Sequence, residues 1–262
     1  MPCPRHRRHT DRIHSVFGSG MTQTETAPVV VTGANRHVGA HMAHRFLDDG
    51  FAVIAQYRTT TDEIERLTER GAIGIQGDFA DTESTLAVAR SIADQADRLR
   101  AVIHNASAFS PTEDDPEDAA AQFQAFFEVH MRAPYLLNRV LGPQIRGEND
   151  TPGDIVHITD IYADNPGPQY DIYCATKAGL QNLSASFAKQ LAPEVKVNAI
   201  QPGPISFEDW VDESARQQML DATPMARTGR PENIYRAVRA FLDNDYQTGA
   251  VVAVDGGRRL GG

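Results

Sequence analysis

The amino-acid sequence predicts an α/β protein: a doubly wound parallel sheet of about seven strands, with helices on both faces, folded as a single domain. From Pro28 onward, short β-branched runs alternate with longer stretches of helical periodicity, a pattern typical of repeated strand–helix–strand units. The runs are apolar without strict alternation, as expected for strands covered on both faces. No linker or internal repeat divides this part of the chain.

Seven runs are the predicted strands, and six longer stretches are the predicted helices. The strand runs are Val29–Val31, Ala52–Ile54, Ala72–Ile75, Ala101–Ile103, Ile155–Ile158, Val195–Val197 and Val251–Val254. The helical stretches are roughly 38–49, 60–70, 82–97, 117–141, 171–191 and 232–242. Segments 106–116 and 202–230 are predicted to be long loops after strands, so both are candidates for a substrate lid.

The composition excludes several classes of protein. The chain has 262 residues and a formal net charge of −10, which argues against a general nucleic-acid binder. No apolar run approaches the roughly 18–20 residues of a membrane-spanning helix, so we expect no membrane partner. The two cysteines, Cys3 and Cys174, fit the reducing cytoplasm. His37, His41 and His44 have helical spacing that could suggest a metal site, but no Glu or Cys completes a ligand set, so we expect exposed helix residues and no metal.

The first residues differ from the rest of the chain. Residues 1–26 are predicted to be a disordered leader, or the product of a start codon placed too early, with Met21 as the functional start. They are basic but lack the apolar stretch of a secretion signal, and a basic interaction arm is the alternative. Residues 27–262 are predicted to form the single folded domain.

A glycine-containing turn follows the first strand and opens the first helix. A glycine at the strand end allows a tight turn, a second one allows close helix packing, and the helix N-terminus offers free N–H groups to a pyrophosphate. This context predicts a dinucleotide-binding, Rossmann-type turn. The predicted cofactor contacts are Gly33, Asn35, Arg36, His37, Val38 and Gly39.

The ends of the next two strands bear on the choice of cofactor. An acidic residue that would hold the ribose 2′-hydroxyl of NAD is absent after the second strand, where Tyr57 and Arg58 stand instead. Arg58 suits a 2′-phosphate, so the sequence favours NADPH. Asp78 and Phe79 follow the third strand and are predicted to contact the cofactor; Asp78 either accepts from the adenine amino group or caps the helix that begins near Thr82.

Tyr173 and Lys177 are predicted to be catalytic. Their spacing puts both side chains on one face of a helix, so the ammonium lies beside the phenol. A nearby cation is expected to lower the pKa of the phenol toward neutrality, which suits acid–base chemistry. The Lys177 ammonium is also expected to bind the nicotinamide ribose, and Asp160 is the polar residue at the end of the fifth strand.

With these motifs, residues 28–257 resemble the short-chain dehydrogenase/reductase family. The motifs are the glycine turn, His104-Asn105-Ala106-Ser107, Tyr173 with Lys177, Pro202-Gly203 and Val254-Asp255-Gly256-Gly257. The resemblance implies that Asn105 and Ala106 support the sheet near the cofactor and that Pro202 and Gly203 lie close to the nicotinamide. Ser107 is expected to contact ligand or cofactor.

Three positions depart from the usual family pattern. Histidine stands at position 37 where the family has glycine, histidine at position 130 where it has asparagine, and Asp160 where it has serine. The Thr-Gly-x-x-Arg-x-x-Gly loop, Thr32 to Gly39, together with Asp160 resembles the pteridine reductase branch, in which an arginine usually stands at the position of His37. The branch resemblance implies that Asp160 joins Tyr173 and Lys177 in the catalytic set. His130 is assigned to the cofactor site, where it either bonds the active-site water chain or only packs under the fifth strand.

The branch resemblance implies a flat heterocyclic substrate, a pterin or folate. Phe109 is expected to stack on it, and the predicted substrate contacts are Ser107, Phe109, Asp160, Tyr173 and Pro204. The implied reaction is NADPH-dependent reduction of a 7,8-dihydropterin such as dihydromonapterin, with a side activity on dihydrofolate. The proton donor stays open between Tyr173 and a water held by Asp160. The family also implies a homotetramer, built largely through the helices near 117–141 and 171–191.

Two alternatives to this function remain at this point. One is a general short-chain carbonyl reductase, for example of a 3-oxoacyl thioester; Asp160 counts against it, because a serine hydroxyl would normally hold the carbonyl oxygen. The other is a non-enzymatic NADP-binding sensor, against which the intact Tyr173 and Lys177 count.

Overall fold

The computed structural model describes residues 27–147, 151–206 and 211–260, so the predicted leader and the chain's last two residues lie outside the described residues. The strands are β1 (Val29–Val31), β2 (Val53–Tyr57), β3 (Ile73–Gln76), β4 (Ala101–His104), β5 (Gly153–Ile158), β6 (Val195–Pro202) and β7 (Val251–Val254). The α-helices are α1 (His37–Asp48), α2 (Asp62–Glu69), α3 (Thr82–Ala93), α4 (Pro116–Phe127), α5 (Ala133–Leu141), α6 (Asp171–Leu191), α7 (Glu213–Asp221) and α8 (Pro231–Leu242).

All seven strands pair in parallel, in the order β3-β2-β1-β4-β5-β6-β7. The chain runs outward from β1 to β3 and then crosses to β4 on the other side of β1. This reversal opens a crevice between the carboxyl ends of β1 and β4, where doubly wound sheets bind ligands. The predicted fold class is therefore confirmed.

The sheet separates two hydrophobic cores, because successive strand residues point to opposite faces. Val29 and Val31 pack with the apolar faces of α1, α2 and α8. Val30 packs on the other side with residues of α3, α5 and α6. Full burial of both faces explains why the strand runs lack polar alternation. None of the described helices is both long and apolar enough to cross a membrane.

Two segments differ from the sequence prediction. The stretch 117–141 is not one helix: a π-helical turn, Glu128–Arg132, separates α4 from α5. Pro134 explains the break, because it has no N–H to donate to the preceding turn. The predicted loop 202–230 contains α7, which buries none of its residues and so shows no apolar periodicity to predict it.

Candidate active site

A cavity of about 540 Å³ opens at the carboxyl edge of the sheet, beside the β1–β4 crevice. Residues from the ends of β4, β5 and β6 line it, together with residues of α6 and the segment around α7. Ten of the predicted site residues are among them: Val38, Asn105, Ser107, Phe109, Asp160, Tyr173, Lys177, Pro202, Gly203 and Pro204. The other predicted cofactor residues lie outside this cavity. Most of them lie at or beside the turns that follow β1, β2 and β3, and His130 lies behind the cavity wall.

The turn after β1 is held in place by the strand end of β4. Gly33 has φ +64°, and a Cβ there would lie 2.9 Å from the Cα of Ala106. The Asn105 side chain donates to the carbonyls of Thr32 and Gly33, at 3.0 and 3.3 Å. A Cβ at Gly39 would lie 2.2 Å from the Gly33 carbonyl oxygen. Only glycine at positions 33 and 39 allows strand end, turn and helix to approach this closely.

The N-terminus of α1 provides donors for an anion. Arg36 precedes the helix without a capping side-chain hydrogen bond, and no acidic residue lies in the first turn. His37 adopts φ +48°, unusual for a residue with a side chain. The first N–H groups of the helix therefore lack an internal acceptor, and the positive end of its dipole adds to the charge of Arg36. This arrangement fits a phosphate.

The ends of β2 and β3 lie beside this turn. Arg58 is exposed; its carbonyl accepts from the Gln76 side chain at 3.2 Å, and the next carbonyl, of Thr59, accepts from Asn35 at 3.2 Å. Arg58 thus stands on a fixed backbone with its guanidinium facing solvent, beside the predicted phosphate site. Tyr57 packs over Gly74 instead.

The structure excludes one of the two interpretations of Asp78. Asp81, not Asp78, caps α3: its carboxylate accepts from the Ser84 N–H at 2.8 Å. The capping alternative for Asp78 is therefore wrong, and its Oδ1 accepts from the adjacent Phe79 N–H at 2.7 Å. The Phe79 ring is buried in the core beneath α3, so only its backbone is available to a ligand.

Asp160, Tyr173 and Lys177 meet at the floor of the cavity. The Tyr173 hydroxyl donates to Asp160 Oδ2 at 2.9 Å, and Asp160 Oδ1 accepts from the Tyr162 N–H at 2.9 Å. Lys177 Nζ donates to the Ile158 carbonyl at 3.0 Å and lies 5.6 Å from the centre of the Tyr173 ring. The β5 end therefore positions both the carboxylate and the acceptor that orients the lysine.

Burial reverses the predicted effect on the phenol. Burial, reinforced by the adjacent Asp160 carboxylate, raises the pKa of Tyr173 well above its usual value. Burial likewise raises the pKa of Asp160, against the stabilising N–H of Tyr162 and the charge of Lys177, and lowers the pKa of Lys177 to about 8. The expectation that the pKa of Tyr173 is lowered toward neutrality is thus wrong, because burial and the Asp160 charge raise it. The phenol is a proton donor held by a carboxylate.

His130 lies behind the cavity wall, in the π-helical turn. It is fully buried; its Nε2 contacts the Ser107 hydroxyl at 2.9 Å and accepts from the Ala108 N–H at 3.2 Å. Its Nδ1 contacts the hydroxyl of Thr176 at 2.8 Å. Burial lowers the pKa of His130 well below its usual value, which keeps the ring neutral. The side chain connects the β4 loop to α6, so it reaches the cavity through Ser107 and not by direct contact.

Aromatic rings form one wall. Phe109 stacks on Tyr170, with ring centroids 4.9 Å apart, and meets the Tyr173 ring edge-on at 4.8 Å. Tyr170 in turn stacks on Tyr162 at 5.7 Å. Together they form an apolar wall in the same cavity as the Tyr173–Asp160 pair, and such a wall suits a flat ring.

Several cavity residues were not found from the sequence. Tyr162 and Tyr170 lack a lysine four residues on, the signal that singled out Tyr173. Asp212 and Met219 belong to the segment predicted as loop, and Arg258 lies in a short 3₁₀ turn near the end of the chain. No local pattern marks these residues, because they reach the cavity only through the fold.

Comparison with known proteins identifies the family. The family model described as enoyl-(acyl carrier protein) reductase matches residues 33–259. The dihydromonapterin reductase of Klebsiella pneumoniae is 39% identical over 240 residues, which cover 92% of this chain and 100% of the relative. The chain belongs to the short-chain dehydrogenase/reductase family. The resemblance seen in the motifs is thereby confirmed.

Further relatives agree with this short-chain dehydrogenase/reductase assignment. The dihydromonapterin reductase of Escherichia coli K12 is 35% identical over the same coverage of both chains. Among solved structures, the alternative dihydrofolate reductase 1 (FolM) of Brucella canis, complexed with NADP, superposes with a TM-score of 0.81 at 27% identity. That match covers 92% of this chain and 97% of the Brucella protein.

Proposed function

We propose that this short-chain reductase transfers hydride from NADPH to C6 of a 7,8-dihydropterin and delivers a proton to N5, giving the tetrahydropterin. The enzyme is an NADPH-dependent oxidoreductase, as its relatives are dihydromonapterin reductases and its structural neighbour holds NADP. The observation that carries the pterin assignment is the 2.9 Å hydrogen bond between Tyr173 and Asp160, under an aromatic wall.

The residues of the crevice fit the proposed cofactor. The glycine turn and the open N-terminus of α1 accommodate a pyrophosphate, and Arg58 and Arg36 supply positive charge for a 2′-phosphate. Asn105, Ser107, Pro202 and Gly203 line the cavity where the nicotinamide half would lie. When bound, NADPH supplies the hydride. Asp78 and Phe79, which follow β3, remain assigned to the adenine half.

The chain's own groups perform the proton transfer. Lys177, tied by one N–H to Ile158, has further N–H groups to hold a ribose hydroxyl. Tyr173 carries a proton at neutral pH because burial and Asp160 raise its pKa. Asp160, whose pKa is also raised, is suited to return a proton to the phenol or to a water beside it. We treat the hydrogen-bonded pair as one proton-donating unit.

Asp160 also disfavours the carbonyl-reductase alternative. A ketone becomes an alkoxide-like oxygen as hydride arrives, and a buried carboxylate near that oxygen would oppose the developing charge. A dihydropterin instead gains a proton on nitrogen, so a carboxylate-linked phenol favours its reaction. A side activity on dihydrofolate is included in the proposal, because it carries the same reacting ring.

Substrate-dependent oxidation of NADPH tests the function. Purified enzyme is assayed with dihydromonapterin, dihydrobiopterin, dihydrofolate and an acetoacetyl thioester, following NADPH absorbance. We expect the highest kcat/KM with a dihydropterin and the lowest with the thioester. Preferred turnover of the thioester would establish the carbonyl-reductase alternative, and cofactor binding without turnover of any substrate would favour the sensor.

We further propose a cytoplasmic homotetramer. Support for assembly comes from two large apolar side chains left exposed on the helices predicted to form the interface: Phe123 on α4 is 48% exposed and Tyr135 on α5 is 42% exposed. Apolar surface of this kind on adjoining helices is typical of protein–protein contacts.

A further inference from the structure

His130 is a buried histidine whose hydrogen bonds fix the position of its single ring proton. Burial and the charge of Lys177 lower the pKa of His130 well below its usual value, so the ring is neutral and only one nitrogen carries a proton. The Ala108 N–H lies 3.2 Å from Nε2, and a backbone N–H can only donate. Nε2 therefore presents its lone pair, and the proton is on Nδ1.

A second contact leads to the same result from the other side of the ring. The Thr176 hydroxyl has one proton, which it donates to the Tyr173 carbonyl at 2.9 Å. Its oxygen is left to accept from His130 Nδ1, at 2.8 Å. The loop after β4 and helix α6 thus select the same form of the imidazole, in which Nδ1 donates and Nε2 accepts.

The orientation of the Ser107 hydroxyl follows from this form of His130. Ser107 Oγ lies 2.9 Å from Nε2, and two lone pairs would repel each other at that distance, so the hydroxyl donates its proton to the ring. The Ala108 carbonyl, at 3.4 Å, is the weaker acceptor for this proton. Ser107 also lines the cavity, and its oxygen then has only lone pairs to offer there. A bound ligand must therefore bring a donor to Ser107.

An acceptor at this point suits a nitrogen heterocycle and not a ketone. A dihydropterin and the carboxamide of nicotinamide both carry N–H groups, whereas a carbonyl oxygen only accepts. Ser107 cannot take over the role of the serine that Asp160 replaces, because His130 already holds its proton inside the protein. The arrangement thus favours ligands with N–H groups on their edges.

We propose that His130 is a positioning residue: it holds the Ser107 proton, so that the Ser107 oxygen faces the cavity as an acceptor for an N–H group of the bound dihydropterin or nicotinamide. This inference rests on the proposed pterin reduction and adds the polarity of one contact in its site. His130 touches neither ligand, and its effect on them passes through Ser107.

The position of the ring proton is tested on the wild-type protein without ligand. Nitrogen-15 chemical shifts of histidine rings distinguish a protonated nitrogen from one with a lone pair, and the resonances that disappear in His130→Gln belong to His130. We expect a protonated Nδ1 and an unprotonated Nε2 at neutral pH. A protonated Nε2 would overturn the inference, whether or not the enzyme reduces pterins.

Steady-state kinetics test whether His130 acts through Ser107. Ser107→Ala removes the acceptor and should raise the KM of the ligand that provides the N–H by about tenfold, with little change in kcat. His130→Leu frees the hydroxyl to turn and should raise the same KM about threefold, because the acceptor is no longer held in place. In the double variant, His130→Leu should add nothing to the effect of Ser107→Ala. Separate KM values for NADPH and dihydromonapterin show which ligand supplies the N–H.

Two further variants separate this effect from damage to the fold. His130→Gln retains an amide oxygen that can accept from Ser107, so it should recover most of what His130→Leu loses. Ser91→Ala, at an exposed serine of α3, should keep wild-type kinetics. An unchanged KM for both ligands in Ser107→Ala, or an equal effect of His130→Leu with and without Ser107, would overturn the positioning role alone. Failure of the wild-type enzyme to reduce any dihydropterin would overturn the proposed function itself.

Discussion

Asp160 determines the chemical state of the phenol beside it. Tyr173 is buried and donates to the Asp160 carboxylate, so its pKa is raised, although Lys177 lies over the ring. Two negative charges in one buried site would be unfavourable, and the pair therefore retains a proton between its members. In this site the carboxylate keeps the phenol protonated at neutral pH, so Tyr173 can donate a proton and does not act as a phenolate.

Loss of the Tyr173 hydroxyl should stop most of the turnover. Tyr173→Phe keeps the ring contacts with Phe109 and Phe126 but removes the proton donor, and we expect kcat to fall by at least about 100-fold. Single-turnover NADPH oxidation with dihydromonapterin measures the effect. Tyr246→Phe, at a tyrosine that is 96% exposed, is the control and should keep wild-type kcat. Near-normal turnover by Tyr173→Phe would remove Tyr173 from its assigned role.

Arg58 should discriminate between the two nicotinamide dinucleotides. Arg58→Ala removes the exposed guanidinium beside the open helix N-terminus, so the KM for NADPH should rise about tenfold or more while that for NADH changes little. Initial rates with each cofactor at saturating dihydropterin provide the comparison. Arg66→Ala on α2, where the side chain pairs with Glu63 away from the turn, is the matched control. Equal losses with both cofactors would contradict the 2′-phosphate assignment.

At the scale of elements, the strand ends support one another across the crevice. The β4 end holds the β1 turn through Asn105, and the π-helical turn between α4 and α5 holds the β4 loop through His130. The β5 end positions Asp160 and, through the Ile158 carbonyl, Lys177. The site thus depends on contacts between consecutive loops more than on any single loop.

The glycine turn should not tolerate a methyl group. A Cβ at Gly39 would lie 2.2 Å from the Gly33 carbonyl oxygen and 2.5 Å from Asn105 Nδ2, so Gly39→Ala must displace the turn. We expect a loss of NADPH affinity of about 100-fold, measured by calorimetry, since the misplaced helix N-terminus no longer meets the phosphates. Gly142→Ala has its nearest contact at 3.8 Å and should bind NADPH normally. Unchanged affinity in Gly39→Ala would refute the pyrophosphate assignment.

A buried polar ladder joins β4, α5 and β5 and should make folding pH-dependent. Asn138 accepts from His104 Nε2 at 2.7 Å and donates to His157 Nε2 at 3.2 Å, and the two histidine rings stack. Burial lowers the pKa of His104 to about 4 from a model-peptide value of 6.5. In the unfolded chain His104 is protonated below about pH 6.5, whereas in the folded protein it is protonated only below about pH 4. Neutral His104 therefore contributes its full stability above about pH 6.5, and this stability is lost as the pH falls from about 6.5 to about 4.

The effect of His104 can be isolated by urea unfolding. Between pH 7 and pH 5, this one residue should lower the free energy of unfolding by about 2 kcal/mol. His104→Gln keeps a donor for Asn138 but does not titrate, so its loss of stability over the same interval should be smaller by about that amount. Identical pH slopes for the two proteins would show that His104 is protonated in the folded state.

At the scale of the whole molecule, the described parts of the chain divide into a catalytic edge and a surface available for assembly. The carboxyl ends of the strands carry the site, while the outer faces of α4 and α5 carry exposed apolar side chains. Residues of α7 and of the turn Arg258–Leu260 also line the cavity at this edge.

Assembly can be tested on the α4 face. We expect a homotetramer in sedimentation velocity, and Phe123→Asp should shift the distribution to smaller species, because it places a charge in apolar surface buried by the partner. Tyr246→Asp introduces the same charge at a side chain that is 96% exposed and should remain tetrameric. A monomeric wild-type protein would contradict the proposed assembly.

The sequence by itself determined the fold class, the strand and helix order and the residues of the glycine turn and of the Tyr173–Lys177 pair. These features are local: periodicity over a few residues decides burial, and a four-residue spacing on a helix decides which side chains are neighbours. The π-helical break has a local signal in Pro134, which the continuous helical periodicity around it outweighed in the prediction, whereas α7 has no apolar face to predict it.

Only the tertiary structure decided the chemistry of the site. The spacing of Tyr173 and Lys177 predicted a lowered pKa for the phenol, but burial and the Asp160 contact raise it, and both depend on how β5 packs against α6. Arg258 and Asp212, which lie far apart in the sequence, line one cavity, and the segment that follows α7 is hydrogen-bonded to the turn that precedes Arg258. Desolvation and contacts between distant segments have no local signature, so they become visible only when the chain is folded.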